Sequence, residues 1–312
     1  MPKYLVTGGA GFIGSHLVEH LVRAGESIRV IDNFITGKRA NLEPFAGRAE
    51  VLEADLRRPA DCARACDGVE VVLHQAALPS VPKSVADPAT SHDCNISGSL
   101  NLLMAARQAG VRRVVLAASS SAYGNTPTQP KVESMRSDPL SPYAVQKLAA
   151  ELYARAFSEC YGIQTISLRY FNVFGPRQDP TSQYAAAIPA FVTSILRNEP
   201  PTVYGDGEQT RDFTYIDNVV AANLAAAAAP RVSGEVCNIA CGEAVSVNHV
   251  IRRINELLGK SVQPKYVPSR AGDVKHSLAD IGRARELIGY QPKVRFDEGL
   301  KRSIEWYSAA AQ

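Results

Sequence analysis

A chain of 312 residues, 46% apolar and 21% charged, is long enough to bury one large core or two that share a wall, and its composition excludes disorder. The formal net charge of +3 comes from scattered basic residues, which leaves no electrostatic footprint for nucleic acid. No stretch approaches the roughly 18 apolar residues of a membrane span, and Cys62, Cys66, Cys94, Cys160, Cys237 and Cys241 lack metal-ligand spacing, so they read as reduced thiols in the cytoplasm.

Met1 to Gly8 runs straight into an apolar strand, with no signal-peptide layout. Lys3 to Thr7 is that strand. Gly8, Gly11 and Gly14 follow at the spacing Gly-x-x-Gly-x-x-Gly, ahead of a helical pattern from Ser15 to Ala24. Strand, glycine turn and helix in that order form the context a dinucleotide pyrophosphate requires. The first glycine allows the turn, the second lets the backbone approach, and the third packs helix on strand. A second strand, Ser27 to Ile31, ends in Asp32, where an acid accepts from the adenosine ribose hydroxyls and repels a 2′-phosphate. That favours NAD over NADP, although Lys38 and Arg39 can offset the repulsion. A third strand, Ala49 to Glu53, leads to Asp55, which reads either as an adenine contact or as the cap of a helix beginning near Pro59.

The fourth strand, Val69 to Leu73, precedes Ala76 and Ala77, whose small side chains let a flat cofactor lie against the backbone. The loop from Leu78 to Val85, with Ser80 and Ser84, is polar enough to contact substrate, and Pro88 to Gly110 predicts one long helix carrying Asn95. Ser119, Ser120 and Ser121 lie just beyond the fifth strand, Arg112 to Leu116. Ligands of a doubly wound sheet bind beyond the carboxyl ends of its strands, so these hydroxyls face the nicotinamide. Ser141 and Pro142 then start a helix with Tyr143 and Lys147 four residues apart on one face. A cation beside a phenol favours phenolate, which makes Tyr143 a candidate general base, with Ser119 relaying its proton.

After residue 172 the pattern changes to segments rich in Pro, Gly and charged turns, while Glu235 to Ile239 reads as a strand returning to the main sheet. The expected fold class is α/β: a Rossmann-like doubly wound parallel sheet with a smaller, discontinuous α/β substrate-binding domain. The expected division is 1–172, with returning segments near 214–242, and 173–312.

The glycine fingerprint, the strand-five serines and the segment Ser141 to Lys147 together resemble the extended short-chain dehydrogenase/reductase family. The likeness continues through Leu168 to Pro176, Tyr204 to Asp217 and Arg270 to Asp273. Within that family the chain is most similar to nucleotide-sugar 4-epimerases of the UDP-glucose/UDP-N-acetylglucosamine type. The resemblance implies NAD as cofactor, Ser119, Tyr143 and Lys147 as the catalytic set, and cofactor contacts at Gly8, Gly11, Gly14, Asp32, Asp55 and Ala76, flanked by Phe12, Ile13, Asn33, Leu56, Ala77 and Asn95. It implies a UDP-sugar held by Asn172, Arg211, Arg270 and Asp273, with Ser80, Ser84, Ser121, Val203, Tyr204 and Ser277 around the sugar and base. No metal is implied, and a homodimer through a helical seam on helices 89–109 and 142–160 is.

Two departures sort the relatives. Related 4,6-dehydratases carry an acidic pair after the Thr that replaces Ser119, where this chain has Ser120 and Ser121. Ser277 stands where epimerases restricted to non-acetylated sugars have Tyr, leaving room for a 2-acetamido group. The alternatives are a UDP-uronic acid 4-epimerase, a reductase, decarboxylase or dehydratase on the same scaffold, and a non-catalytic dinucleotide sensor. The sensor reading conflicts with retention of Ser119, Tyr143 and Lys147 together.

Overall fold

The computed structural model describes residues 2–180, 187–269 and 275–310. In its first half, strands β1 (Tyr4–Thr7), β2 (Ile28–Asp32), β3 (Glu50–Glu53), β4 (Val71–His74), β5 (Arg113–Ser119) and β6 (Gln164–Tyr170) are interleaved with helices. These are α1 (Phe12–Arg23), α2 (Pro59–Cys66), α3 (Val81–Ala86), α4 (Pro88–His92), α5 (Gly98–Gln108) and α6 (Pro142–Tyr161). The second half adds short strands β7 (Val173–Phe174), β8 (Thr202–Tyr204), β9 (Thr210–Arg211) and β10 (Thr214–Tyr215), the longer β11 (Glu235–Ile239), and β12 (Val245–Ser246), β13 (Lys265–Val267) and β14 (His276–Ser277). Its helices are α7 (Ala187–Leu196), α8 (Ile216–Ala228), α9 (Val247–Leu258), α10 (Gly282–Ile288) and α11 (Phe296–Ala310).

Seven strands form one parallel sheet in the order β11-β6-β5-β4-β1-β2-β3. Alternation along each strand sends neighbours to opposite faces. Val6, Val30, Leu73 and Val115 join a core with α1 and α8, while Leu5, Ile31, Val72 and Val114 join one with α2 and α5. Covered on both sides, the central strands are continuously buried, whereas β3 at the edge is largely exposed. Strand order reverses between β1 and β4, which opens a crevice above their carboxyl ends. This is the Rossmann-like doubly wound architecture that the glycine fingerprint predicts, and β11 does return to pair with β6.

The helix expected over Pro88 to Gly110 is interrupted. Residues Asp93–Ser97 form a π-helical turn between α4 and α5. The widened turn carries Asn95, whose side chain satisfies a neighbouring loop, the usual setting of a π-bulge.

The remaining strands make small sheets: β7 with β10, β8 with β13, and β9 between β12 and β14. Each contributes two or three residues, so tertiary packing rather than ladder length holds them. Among the described residues no helix is long and apolar enough to cross a membrane.

Candidate active site

The crevice begins at the glycine turn. Gly11 is the N-cap of α1 and no side chain caps that helix, so its first N–H groups point at whatever sits in front of them. A Cβ at Gly14 would lie 2.1 Å from the Gly8 carbonyl oxygen. One at Gly8, whose φ is +66°, would lie 2.8 Å from Ala76 Cα. The glycines therefore bring α1 and the ends of β1 and β4 closer together than any side chain permits.

A cavity of about 670 Å³ extends from there. Gly8, Gly11, Phe12, Ile13 and Gly14 line its floor, Asp32, Asn33, Asp55 and Leu56 one end, and Ala76, Ala77 and Ser80 the wall. Ser119, Tyr143 and Asn172 stand at the far end. Asp32 accepts from Ala10 N at 2.9 Å and Phe34 N at 2.8 Å, and burial pushes its carboxyl upward against those two bonds. Of the two cations able on sequence to offset Asp32, Lys38 lines the same cavity and Arg39 is not among its lining residues. Lys38 pairs with Asp179 at 3.6 Å and Arg39 with Glu53 at 2.7 Å. Asp55 does not cap α2. It accepts from Asn33 Nδ2 at 3.0 Å and pairs with Arg57 at 2.6 Å, which pulls its carboxyl down to about 2, while the N-cap of α2 is Arg58. An uncapped helix start beside a glycine cradle, with a buried acid at the end of β2, fits an NAD-type dinucleotide.

The wall is set by a buried relay. Ser99 Oγ donates to Asn95 O at 2.7 Å and so accepts from His74 Nε2 at 2.9 Å. That leaves His74 Nδ1 to accept from Thr7 Oγ1 at 2.8 Å, and Thr7 Oγ1 accepts in turn from Gln75 N and Ala76 N, both at 3.1 Å. Burial, and secondarily Lys147, lowers His74 to about 3, which keeps it neutral as the relay requires.

At the far end Ser141 caps α6 by accepting from Ala144 N at 3.2 Å, and Ser84 Oγ accepts from Tyr143 N at 3.0 Å. These two hydroxyls fix where Tyr143 starts. Ser121 donates to Ser119 Oγ from its hydroxyl at 2.8 Å and its N–H at 3.2 Å, and Ser119 and Tyr143 both line the cavity. Lys147 differs from expectation. Its buried Nζ donates to Ala117 O at 2.8 Å, and burial lowers it to about 8. Burial raises the Tyr143 phenol, and neighbouring Ser119 opposes that rise. Four residues apart on α6, the two side chains share a face, yet Tyr143 reaches the cavity while Lys147 turns into the end of β5. The protein alone thus leaves the phenol protonated, and acidifying it takes further positive charge in front of it.

Several expected contacts stand behind this surface. Asn95 accepts from Leu78 N at 2.7 Å and donates to Gln146 Oε1 at 2.9 Å, so it holds the loop that lines the cavity. Ser84 is wholly buried beneath Tyr143, and the Val203 side chain belongs to the core, because β8 turns it inward. Tyr204, Arg211 and Ser277 lie on the small outer sheets, where Arg211 is in register with Ser277. Arg270 and Asp273 lie outside the described residues. The sequence reading missed Tyr170, Arg177 and Gln178, all of which line the cavity. Tyr170 sits at the end of β6 and donates to Gln75 Oε1 at 3.1 Å, so the strand-end rule that found Ser119 finds it too. Arg177 bonds Ser15 at 3.3 Å and Glu19, and no periodicity points to it.

The model of the NAD dependent epimerase/dehydratase family matches residues 4–240. The chain belongs to that family. It is 38% identical over 304 residues to a putative UDP-glucose 4-epimerase of Methanocaldococcus jannaschii, covering 97% of each chain. It superposes with a TM-score of 0.94, at 40% identity and 99% coverage of both chains, on UDP-N-acetylglucosamine 4-epimerase from Methanobrevibacter ruminantium M1, solved with UDP-N-acetylmuramic acid. Thermus thermophilus UDP-glucose 4-epimerase, solved with NAD, gives 0.90 at 35% identity, covering 98% of this chain and 99% of its own.

Proposed function

We propose that this chain is an NAD-dependent isomerase that inverts C4 of a UDP-hexose through a transient 4-keto sugar, taking UDP-GlcNAc and UDP-GalNAc as well as UDP-Glc and UDP-Gal. The observation that carries this reading is that Ser119, held by Ser121, and Tyr143 line the dinucleotide cavity together. NAD held by the glycine cradle would supply the hydride acceptor and donor, and its oxidised ring would supply positive charge to acidify the phenol. Tyr143 then takes the proton from the sugar 4-hydroxyl and returns it after the keto sugar has turned over, while Ser119 donates to the reacting oxygen. Lys147 holds the carboxyl end of β5 and adds its charge to the floor. Arg211, with Arg270 and Asp273, grips the diphosphate and uridine, so the hexose is the part free to rotate.

Ser277, in register with Arg211, is small enough to admit a 2-acetamido group. Assaying UDP-Glc, UDP-GlcNAc and UDP-glucuronate for 4-epimers tests the reading. Formation of none of the epimers defeats it, and Ser277→Tyr is expected to cut kcat/KM for the acetylated sugar roughly 10–200-fold against the plain one.

A division into a cofactor domain over 1–172, with returning segments near 214–242, and a substrate domain over 173–312 accords with this chemistry. So does a cytoplasmic location, with all six cysteines free. Met104 on α5 and Val145 and Leu152 on α6 are 47%, 49% and 54% exposed, an apolar stripe suited to the seam of a homodimer. Sedimentation of Leu152→Arg is expected to give a monomer, and an unchanged mass removes the seam.

A further inference from the structure

Asp212 is fully buried, and the chemistry above makes no use of it. Its Oδ1 accepts from Cys241 N at 2.9 Å, and its Oδ2 from Gly242 N at 3.0 Å and Ala279 N at 3.2 Å. A carboxylate held by converging backbone N–H groups cross-links the chain segments that donate them. One is the loop after β11. The other is the run that contains Ser277 two residues earlier. Through its own carbonyl Asp212 also accepts from Asn172 Nδ2 at 3.1 Å, and Asn172 O accepts from Thr214 N at 3.2 Å. Asn172 has φ of +32°, in the positive region that asparagine tolerates better than most non-glycine residues. The next residue upstream is Arg211, paired with Val245 on one side and Ser277 on the other.

We propose that Asp212 is a positioning residue for the nucleotide-sugar half of the site: its one carboxylate and its carbonyl set Arg211, Ser277 and Asn172 in mutual register. Elements of two and three residues cannot align themselves through ladder bonds alone, and this buried anion supplies the missing constraint. The claim rests on reading those three residues as UDP-sugar contacts. It assigns Asp212 no contact with substrate and no proton transfer.

The test is Asp212→Asn, an isosteric change that turns an NH₂ group toward donors already in place, together with Asp212→Glu, which keeps the charge one methylene out of position. In Asp212→Asn the UDP-sugar KM and the Kd for UDP by calorimetry are both expected to rise about tenfold or more, with Asp212→Glu intermediate, while NAD content per chain stays that of the natural protein. KM and UDP affinity within about twofold of the natural protein overturn the proposal. So does parallel loss of NAD, or failure of both variants to fold, since either makes the carboxylate a support of the whole chain. UDP affinity is read without turnover, so a natural protein that binds UDP and forms no epimer defeats the epimerase reading while this comparison still stands.

Discussion

The cofactor crevice and the region proposed above for the nucleotide sugar are built in opposite ways. The first stands on the carboxyl ends of long parallel strands, and its key atoms are backbone: the Gly8 to Gly14 turn, the N–H groups that open α1, and the Ala76 wall set by Thr7 and His74. The second is assembled from β7, β9, β10 and β14, each of two residues and drawn from distant parts of the chain, and its alignment depends on one buried carboxylate. A fixed cradle suits a cofactor that stays while hydride leaves and returns. A surface pieced together from short segments can be retuned at single positions such as Ser277 without disturbing the sheet.

The largest expected effect separates chemistry from both halves. Tyr143→Phe keeps the ring and loses the hydroxyl, so turnover is expected to fall on the order of a thousandfold with NAD and UDP affinities within a few fold. Isotope exchange at C4 that persists in this variant removes Tyr143 from the mechanism. Gly14→Ala addresses the cradle alone, because its Cβ would meet the Gly8 carbonyl oxygen at 2.1 Å. NAD affinity is expected to drop about a hundredfold by fluorescence titration, with UDP binding nearly intact. If both ligands weaken equally, the halves are not separately built.

The smallest effect sets half-buried Asp55 against fully buried Asp212. Asp55 is held near 2 by Arg57, below its unfolded value, so its contribution to stability is present above about pH 4 and is lost as pH falls toward 2. Asp212 is raised to about 6 by burial, so its contribution is present below about pH 4 and is lost as pH rises through 6. Melting curves between pH 4 and 7 are therefore expected to flatten by a few degrees in Asp212→Asn and to keep their slope in Asp55→Asn. The same slope in both variants contradicts the assignment of opposite signs.

By itself the amino-acid order determined whatever depends on neighbours in sequence. Glycine spacing between a strand and a helix specifies the cradle, Ser141 and Pro142 start the helix of Tyr143, and the runs at 69–73 and 112–116 contain most of β4 and the first half of β5. These signals are local, because turn, cap and side-chain period are decided within a few residues. Only tertiary structure decided what each polar side chain bonds. Lys147 turned to Ala117, Asn95 took a π-turn to hold Leu78, Ser84 went under the start of α6, and Tyr170 and Arg177 entered the cavity. Asp212 is the extreme case, a carboxylate whose donors lie about thirty and seventy residues away in the chain and meet only because the fold brings them together, where a buried charge must find partners.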